Sequence, residues 1–101
     1  MSADKRIVRV MISGLVQGVG FRAWMVREAY ARGISGWVRN RFNGDVEALL
    51  AGPPDSVEAL CEACWRGPAA ASVDNVKVAE ADASALSEGG ARRGFHAIAT
   101  R

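Results

Sequence analysis

The chain has 101 residues, half of them hydrophobic and 24% charged, with a formal net charge of +2. Length and composition suit one compact globular domain over residues 1–101 with one core, and they exclude a disordered chain. So small a net charge argues against a strongly electrostatic nucleic-acid or membrane binder, and no apolar run nears the roughly 18 residues of a membrane-spanning helix.

Met1-Ser2-Ala3-Asp4-Lys5-Arg6 lacks the apolar stretch of a signal peptide, so a cytoplasmic location is expected. Lys5 to Ser13 then reads as a strand, with Val8, Val10 and Ile12 alternating with Arg9 and Met11. A glycine-rich loop runs from Gly14 to Gly20. A helix follows from Phe21 to about Arg32, with Ala23, Met25, Val26, Ala29 and Tyr30 in one arc and Gly33 as its stop. Ser35 to Arg41 reads as a second strand, Arg41-Phe42-Asn43-Gly44 as a tight turn, and Asp45 to Ala51 as a third strand. Gly52-Pro53-Pro54 breaks the pattern. Asp55, with Glu58 three residues on, is placed to cap a second helix along Val57, Leu60, Cys61, Cys64 and Trp65, which Gly67-Pro68 ends. Ser72 to Glu80 is a fourth strand, Ala81 to Gly94 a loop rich in small residues, and Phe95 to Thr100 a short final strand.

The order β-α-β-β-α-β, with room for a short terminal strand, is the split βαβ or ferredoxin-like pattern. It predicts an α+β sandwich, an antiparallel sheet with two helices on one face. Fold class alone leaves the function open.

The chemistry concentrates in the loop. Gly14, Gly18 and Gly20 sit between a strand and a helix, where successive amide N–H groups and the helix N-terminus can converge on an anion. The spacing is neither a P-loop nor a dinucleotide fingerprint. Arg22 falls within the apolar arc of the first helix and opposes the helix dipole. A phosphate held bidentately by its guanidinium would offset both costs; the alternative is a side chain that reaches solvent or pairs with a carboxylate.

Ile12-Ser13-Gly14-Leu15-Val16-Gln17-Gly18-Val19-Gly20-Phe21-Arg22 resembles the first acylphosphatase signature. Gly36-Trp37-Val38-Arg39-Asn40 with Gly44, Val46 and Gly52 resembles the second. The resemblance covers nearly the whole chain. It implies a ferredoxin-like fold and hydrolysis of the carboxyl–phosphate bond of acyl phosphates to carboxylate and inorganic phosphate. It implies that the backbone from Leu15 through Val16, Gln17, Gly18, Val19, Gly20 and Phe21 to Arg22 holds the phosphate, that Arg22 binds it, and that Asn40 positions the attacking water. It implies no metal and no organic cofactor, and a small-molecule acyl phosphate as partner.

The residues agree with that chemistry. An acyl phosphate expels a carboxylate, a weak base that scarcely needs a general acid, so catalysis reduces to placing water in line and stabilising phosphoryl charge. An asparagine amide can accept from water and donate to phosphate together. The missing Ser-His-Asp set, loop cysteine and Mg²⁺ carboxylates are then no gap. A general base is missing too, and a substrate phosphate oxygen is the candidate acceptor for the water's proton. Taken without the resemblance, Asn40 is a polar strand residue near a hairpin.

The remaining polar and aromatic residues are expected to be structural or solvated. Gln17 has a structural or peripheral side chain, and Arg39, Arg41, Asp45 and Glu47 face solvent. Trp37 and Trp65 belong to the core, Trp24 is partly exposed, and His96 is a surface strand residue. Cys61 and Cys64 pack on an apolar helix stripe, and a lone pair with one histidine falls short of a zinc site. RNA-recognition domains share the element order but stack bases on aromatics of their central strands. Arg6 to Ser13 and Asp45 to Ala51 contain none, which argues against nucleic-acid binding. A module within a larger carbamoyl phosphate-handling maturation enzyme is a second rival. The size, without a coiled-coil pattern, favours a monomer.

Overall fold

A computed structural model describes residues 5–90 and 93–101; residues 1–4 and positions 91 and 92 of the expected 81–94 loop lie outside the described residues. The elements follow the expected order: β1 (Arg6–Leu15), α1 (Phe21–Ala31), β2 (Ser35–Asn40), β3 (Val46–Gly52), α2 (Pro54–Ala63), β4 (Ser72–Glu80), a 3₁₀ helix (Ala83–Gly89) and β5 (Phe95–Ala97). They build a five-stranded sheet in the order β4-β1-β3-β2-β5.

Period-two alternation decides which residues face the helices. Register pairs Val8 with Leu50, Val10 with Ala48 and Ile12 with Val46, all fully buried. Phe21, Met25 and Ala29 of α1 and Val57, Leu60 and Ala63 of α2 pack on that face, so both helices cover one side of the sheet. The i, i+4, i+8 stripe of α1 is narrower than the expected arc, and Ala23 and Tyr30 are exposed.

Four strands are antiparallel to their neighbours, but β5 lies parallel to β2, so the sheet is mixed. β4 runs down one edge, and the 3₁₀ helix carries the chain across the face opposite α1 and α2. β5 then returns at the far edge in the direction of β2. The 3₁₀ helix also closes a second small core of Trp37, Leu49 and Ala85, with the Trp37 indole N–H donating to the Ala85 carbonyl at 3.0 Å.

Two expectations about α2 fail. The helix begins at Pro54, whose fixed φ suits a first turn, so Asp55 lies inside that turn and makes no capping bond. It ends at Ala63, which leaves Trp65 beyond the helix and 48% exposed rather than in the core. Cys61 is half-buried, Cys64 is buried, and both are free; burial pushes both thiols up, away from the reactive thiolate.

Candidate active site

β1 delivers the chain to the loop and α1 takes it away. Between them Gly18 and Gly20 adopt φ of +74° and +82°, left-handed values that admit glycine readily. A Cβ at either position would point into open space, so a ligand can approach the backbone there. Gly20 is the residue preceding α1; no side chain caps the helix and no acidic residue stands in its first turn. The first N–H groups of α1 therefore retain both their donors and the positive end of the dipole.

A cavity of about 320 Å³ opens at this point, lined by Val16, Gly18, Gly20, Phe21, Arg22, Ala23, Asn40 and Ala97. Arg22 is exposed on the first turn of α1, where it borders the cavity and does not enter the apolar core; it forms no ion pair among the described residues. Asn40 is half-buried at the end of β2, opposite Val46, on the face that the helices cover. Register thus turns Asn40 toward the loop and Arg39 away from it.

Of the loop residues named from sequence, Val16, Gly18, Gly20, Phe21 and Arg22 line this cavity. Leu15, Gln17 and Val19 do not: Leu15 is 61% exposed at the end of β1, Val19 packs on the core, and the Gln17 side chain turns to the β2–β3 turn. Ala23 and Ala97 are additions. Ala97 reaches the site because β5 pairs with β2, with Ala97 beside Val38. Behind the loop, Trp24 meets Phe21 edge-on, with ring centroids 5.2 Å apart.

On the opposite face the structure overturns the expected solvated charges. Glu47 and Arg39 are only 3% and 4% exposed. Glu47 Oε1 accepts from Arg39 Nε at 2.9 Å and from Arg41 at 3.2 Å, and Oε2 accepts from Arg9. Glu88 of the 3₁₀ helix bonds Arg9 at 2.8 Å and Arg39 at 3.3 Å. The Arg39 and Arg9 guanidiniums lie 4.7 and 5.7 Å from the Trp37 ring centroid. Burial alone would push the Glu47 carboxyl up, but the hydrogen bonds from Arg9 and Arg39 outweigh it and hold the group below its ordinary value. Asp45 is half-buried in the turn, its N–H bonded to Asn43 Oδ1.

A larger cavity, about 540 Å³, lies between the 3₁₀ helix and β5 and is lined in part by Trp37, Arg93 and His96. His96 is half-buried, and its Nε2 is sealed from solvent with no hydrogen-bond partner among the described residues. This cavity meets only the start of the short 3₁₀ helix, at Ala83, behind an acidic N-cap at Asp82, and has neither the carboxylate-free N-terminus of α1 nor the Gly18–Gly20 backbone, so the smaller one is the better anion site. Among the described residues no three His, Cys, Asp or Glu side chains cluster as metal ligands would.

Residues 8–96 match the family model for acylphosphatase. An acylphosphatase of Rhodopseudomonas palustris (strain BisB5) is 54% identical over 80 residues, covering 79% of this chain and 81% of that protein. The structure of an acylphosphatase from Coxiella burnetii superposes with a TM-score of 0.79 at 35% identity, over 93% of each chain. The structure of full-length HypF contains a similar fold, with a TM-score of 0.81 at 21% identity over 96% of this chain but 12% of that one.

Proposed function

The chain belongs to the acylphosphatase family and hydrolyses acyl phosphates, and we propose that it does so in the 320 Å³ cavity, with the phosphoryl group held by the loop and Arg22 and the water held by Asn40. The observation that carries the reading is the convergence of an uncapped, carboxylate-free helix N-terminus, a guanidinium with no ion pair among the described residues and an asparagine amide on one cavity.

Backbone N–H groups of the loop up to Arg22 donate to the phosphoryl oxygens, and the Arg22 guanidinium donates two parallel hydrogen bonds to them. The Asn40 Oδ1 accepts a hydrogen bond from water while Nδ2 donates to a phosphoryl oxygen, which places the water opposite the leaving carboxylate. The new P–O bond forms as the P–O bond to the carboxylate breaks. The carboxylate departs with the electron pair, and a phosphoryl oxygen takes the water's proton. No metal or cofactor is called for. The sheet face carrying Trp37 lies beneath the 3₁₀ helix, which supports a small-molecule substrate rather than bases stacked on that face. A monomeric enzyme working in the cytoplasm fits the modest charge and size.

Benzoyl phosphate hydrolysis by Arg22→Ala and Asn40→Ala tests the assignment. Each loses about 10²-fold or more in kcat/KM, by analogy with removing one charge-stabilising donor. Competitive inhibition by inorganic phosphate weakens with Arg22→Ala and survives with Asn40→Ala. Near-normal kinetics from either folded variant removes that residue from the mechanism.

A further inference from the structure

The two halves of the proposed site belong to different elements, and α1 and most of β2 separate them in sequence. Their relative placement sets the distance from water to phosphorus, and a 1 Å error there costs on the order of 10²-fold in rate. Among the described residues one side chain makes hydrogen bonds from the glycine loop to the turn that follows Asn40. Gln17 Nε2 donates to the Arg41 carbonyl at 2.7 Å and to the Asp45 carbonyl at 2.8 Å.

These two carbonyls are the two ends of the β2–β3 turn. Arg41 N donates to Asp45 O at 2.8 Å, and Gly44 N donates to Arg41 O at 3.1 Å. The turn is gripped from other sides as well: Arg101 N donates to Asn40 O at 3.2 Å, and the Arg41 guanidinium bonds Glu47. The turn is thus tied to the sheet on its own account, and Gln17 ties the loop to the turn. Both N–H bonds of one amide nitrogen are used. A carboxylate in its place would set a negative oxygen against two carbonyl oxygens. A thioether of similar length would offer no donor.

We propose that Gln17 is a positioning residue for the hydrolysis: its side chain locks the phosphate loop to the turn adjoining Asn40 and so fixes the separation of phosphoryl group and water. The inference rests on the reading of Asn40 given above. Gln17 touches no reacting atom through its side chain, so its effect falls on kcat rather than on phosphate affinity. The fold tolerates its loss, because each carbonyl keeps its partner within the turn.

A double-mutant cycle decides the matter, with benzoyl phosphate as substrate, inorganic phosphate as competitive inhibitor and circular dichroism as the check on folding. Gln17→Met lowers kcat by about 10-fold or more while phosphate inhibition shifts by less than about threefold. Gln17→Glu falls lower still. Gln17→Asn, which keeps the amide but is one methylene shorter and cannot span both carbonyls, behaves like Gln17→Met and serves if that variant does not fold. In an Asn40→Ala background Gln17→Met costs no more than about twofold, because the group it positions is gone. Losses that multiply in the double variant overturn the proposal. So does a folded Gln17→Met or Gln17→Asn variant with kcat within about threefold of the parent, or phosphate inhibition that weakens in step with kcat. Failure of the Asn40 assignment shows separately, as near-normal kcat in Asn40→Ala alone, and it withdraws the positioning role with it.

Discussion

Replacing Glu47 with alanine removes the carboxylate shared by three guanidiniums. Arg39, 4% exposed, then keeps, among the described residues, only Glu88 at 3.3 Å, and that partner is itself a third exposed. Breaking a buried ion pair from one side costs about 3–5 kcal/mol, because the surviving charge stays desolvated. Against a total stability of roughly 5–15 kcal/mol that is a large share. At about 4–8 °C per kcal/mol for a domain of this size, the melting temperature falls by at least about 12 °C. Glu47→Gln keeps the shape and one acceptor but opposes an amide N–H to a guanidinium, and it costs about 2–3 kcal/mol, as for charged hydrogen bonds. The pH dependence has a definite sign. The folded Glu47 carboxyl titrates below its unfolded value, so unfolding takes up a proton in acid. Its contribution is complete above the ordinary glutamate value of about 4.3 and is lost as pH falls further. The stability gap between parent and Glu47→Gln therefore narrows as pH falls below about 4.3. Thermal melts of both variants across that range are the assay. A Glu47→Ala melting temperature within about 4 °C of the parent at pH 7, or a gap that widens in acid, would refute the reasoning.

Other outcomes follow from the same geometry. Gly36 has φ of +137°, and a Cβ there would lie 1.9 Å from the Leu49 carbonyl oxygen, a backbone atom of the paired strand, so Gly36→Ala lowers the melting temperature sharply or yields no folded protein. Differential scanning fluorimetry checks it, and a near-parental melt would show that β2 and β3 separate cheaply. Hydrolysis of acetyl or benzoyl phosphate proceeds undiminished in excess EDTA; a loss restored by a divalent cation would overturn the metal-free mechanism. Cys64 resists an aromatic disulfide reagent in the native protein and reacts on unfolding, while Cys61 reacts slowly; thiol titration with and without denaturant reads both. Arg22→Lys retains charge but lacks the planar fork, so its kcat/KM stays well below the parent in the benzoyl phosphate assay.

The local signals were legible where period and punctuation agree. Val8, Val10 and Ile12 alternate, Asn43-Gly44 turns, and glycines flank the loop; strands, turn and loop fall where these residues put them. Alternation also told correctly that Arg39 faces away from Asn40. It could not tell what covers that face. Period two distinguishes the sides of a strand, but the cover comes from Ala83–Gly89, a short 3₁₀ helix whose run of small residues has no helical period to read. Hence Arg39 and Glu47 were expected in water and lie buried. Trp65 failed for a related reason: its spacing continues the α2 stripe, but the helix has already ended. In the candidate site, Arg22 and the loop came from their position at a strand–helix junction. Asn40 needed the family resemblance, and Ala97 needed a parallel pairing between segments about sixty residues apart.

That pairing has a consequence for assembly. The middle of the sheet, β1-β3-β2, is complete by residue 52, yet each of its flanks is sealed by a segment from later in the chain: β4 against β1, and β5 against β2. Until those segments arrive, two rows of unpaired backbone N–H and C=O groups stand open to any other extended chain. Long-range closure of this kind slows folding and prolongs the exposure. β5, only three residues long, is therefore the guard on the flank that carries Asn40, and its fraying would both open a route to aggregation and strip Ala97 from the wall of the cavity.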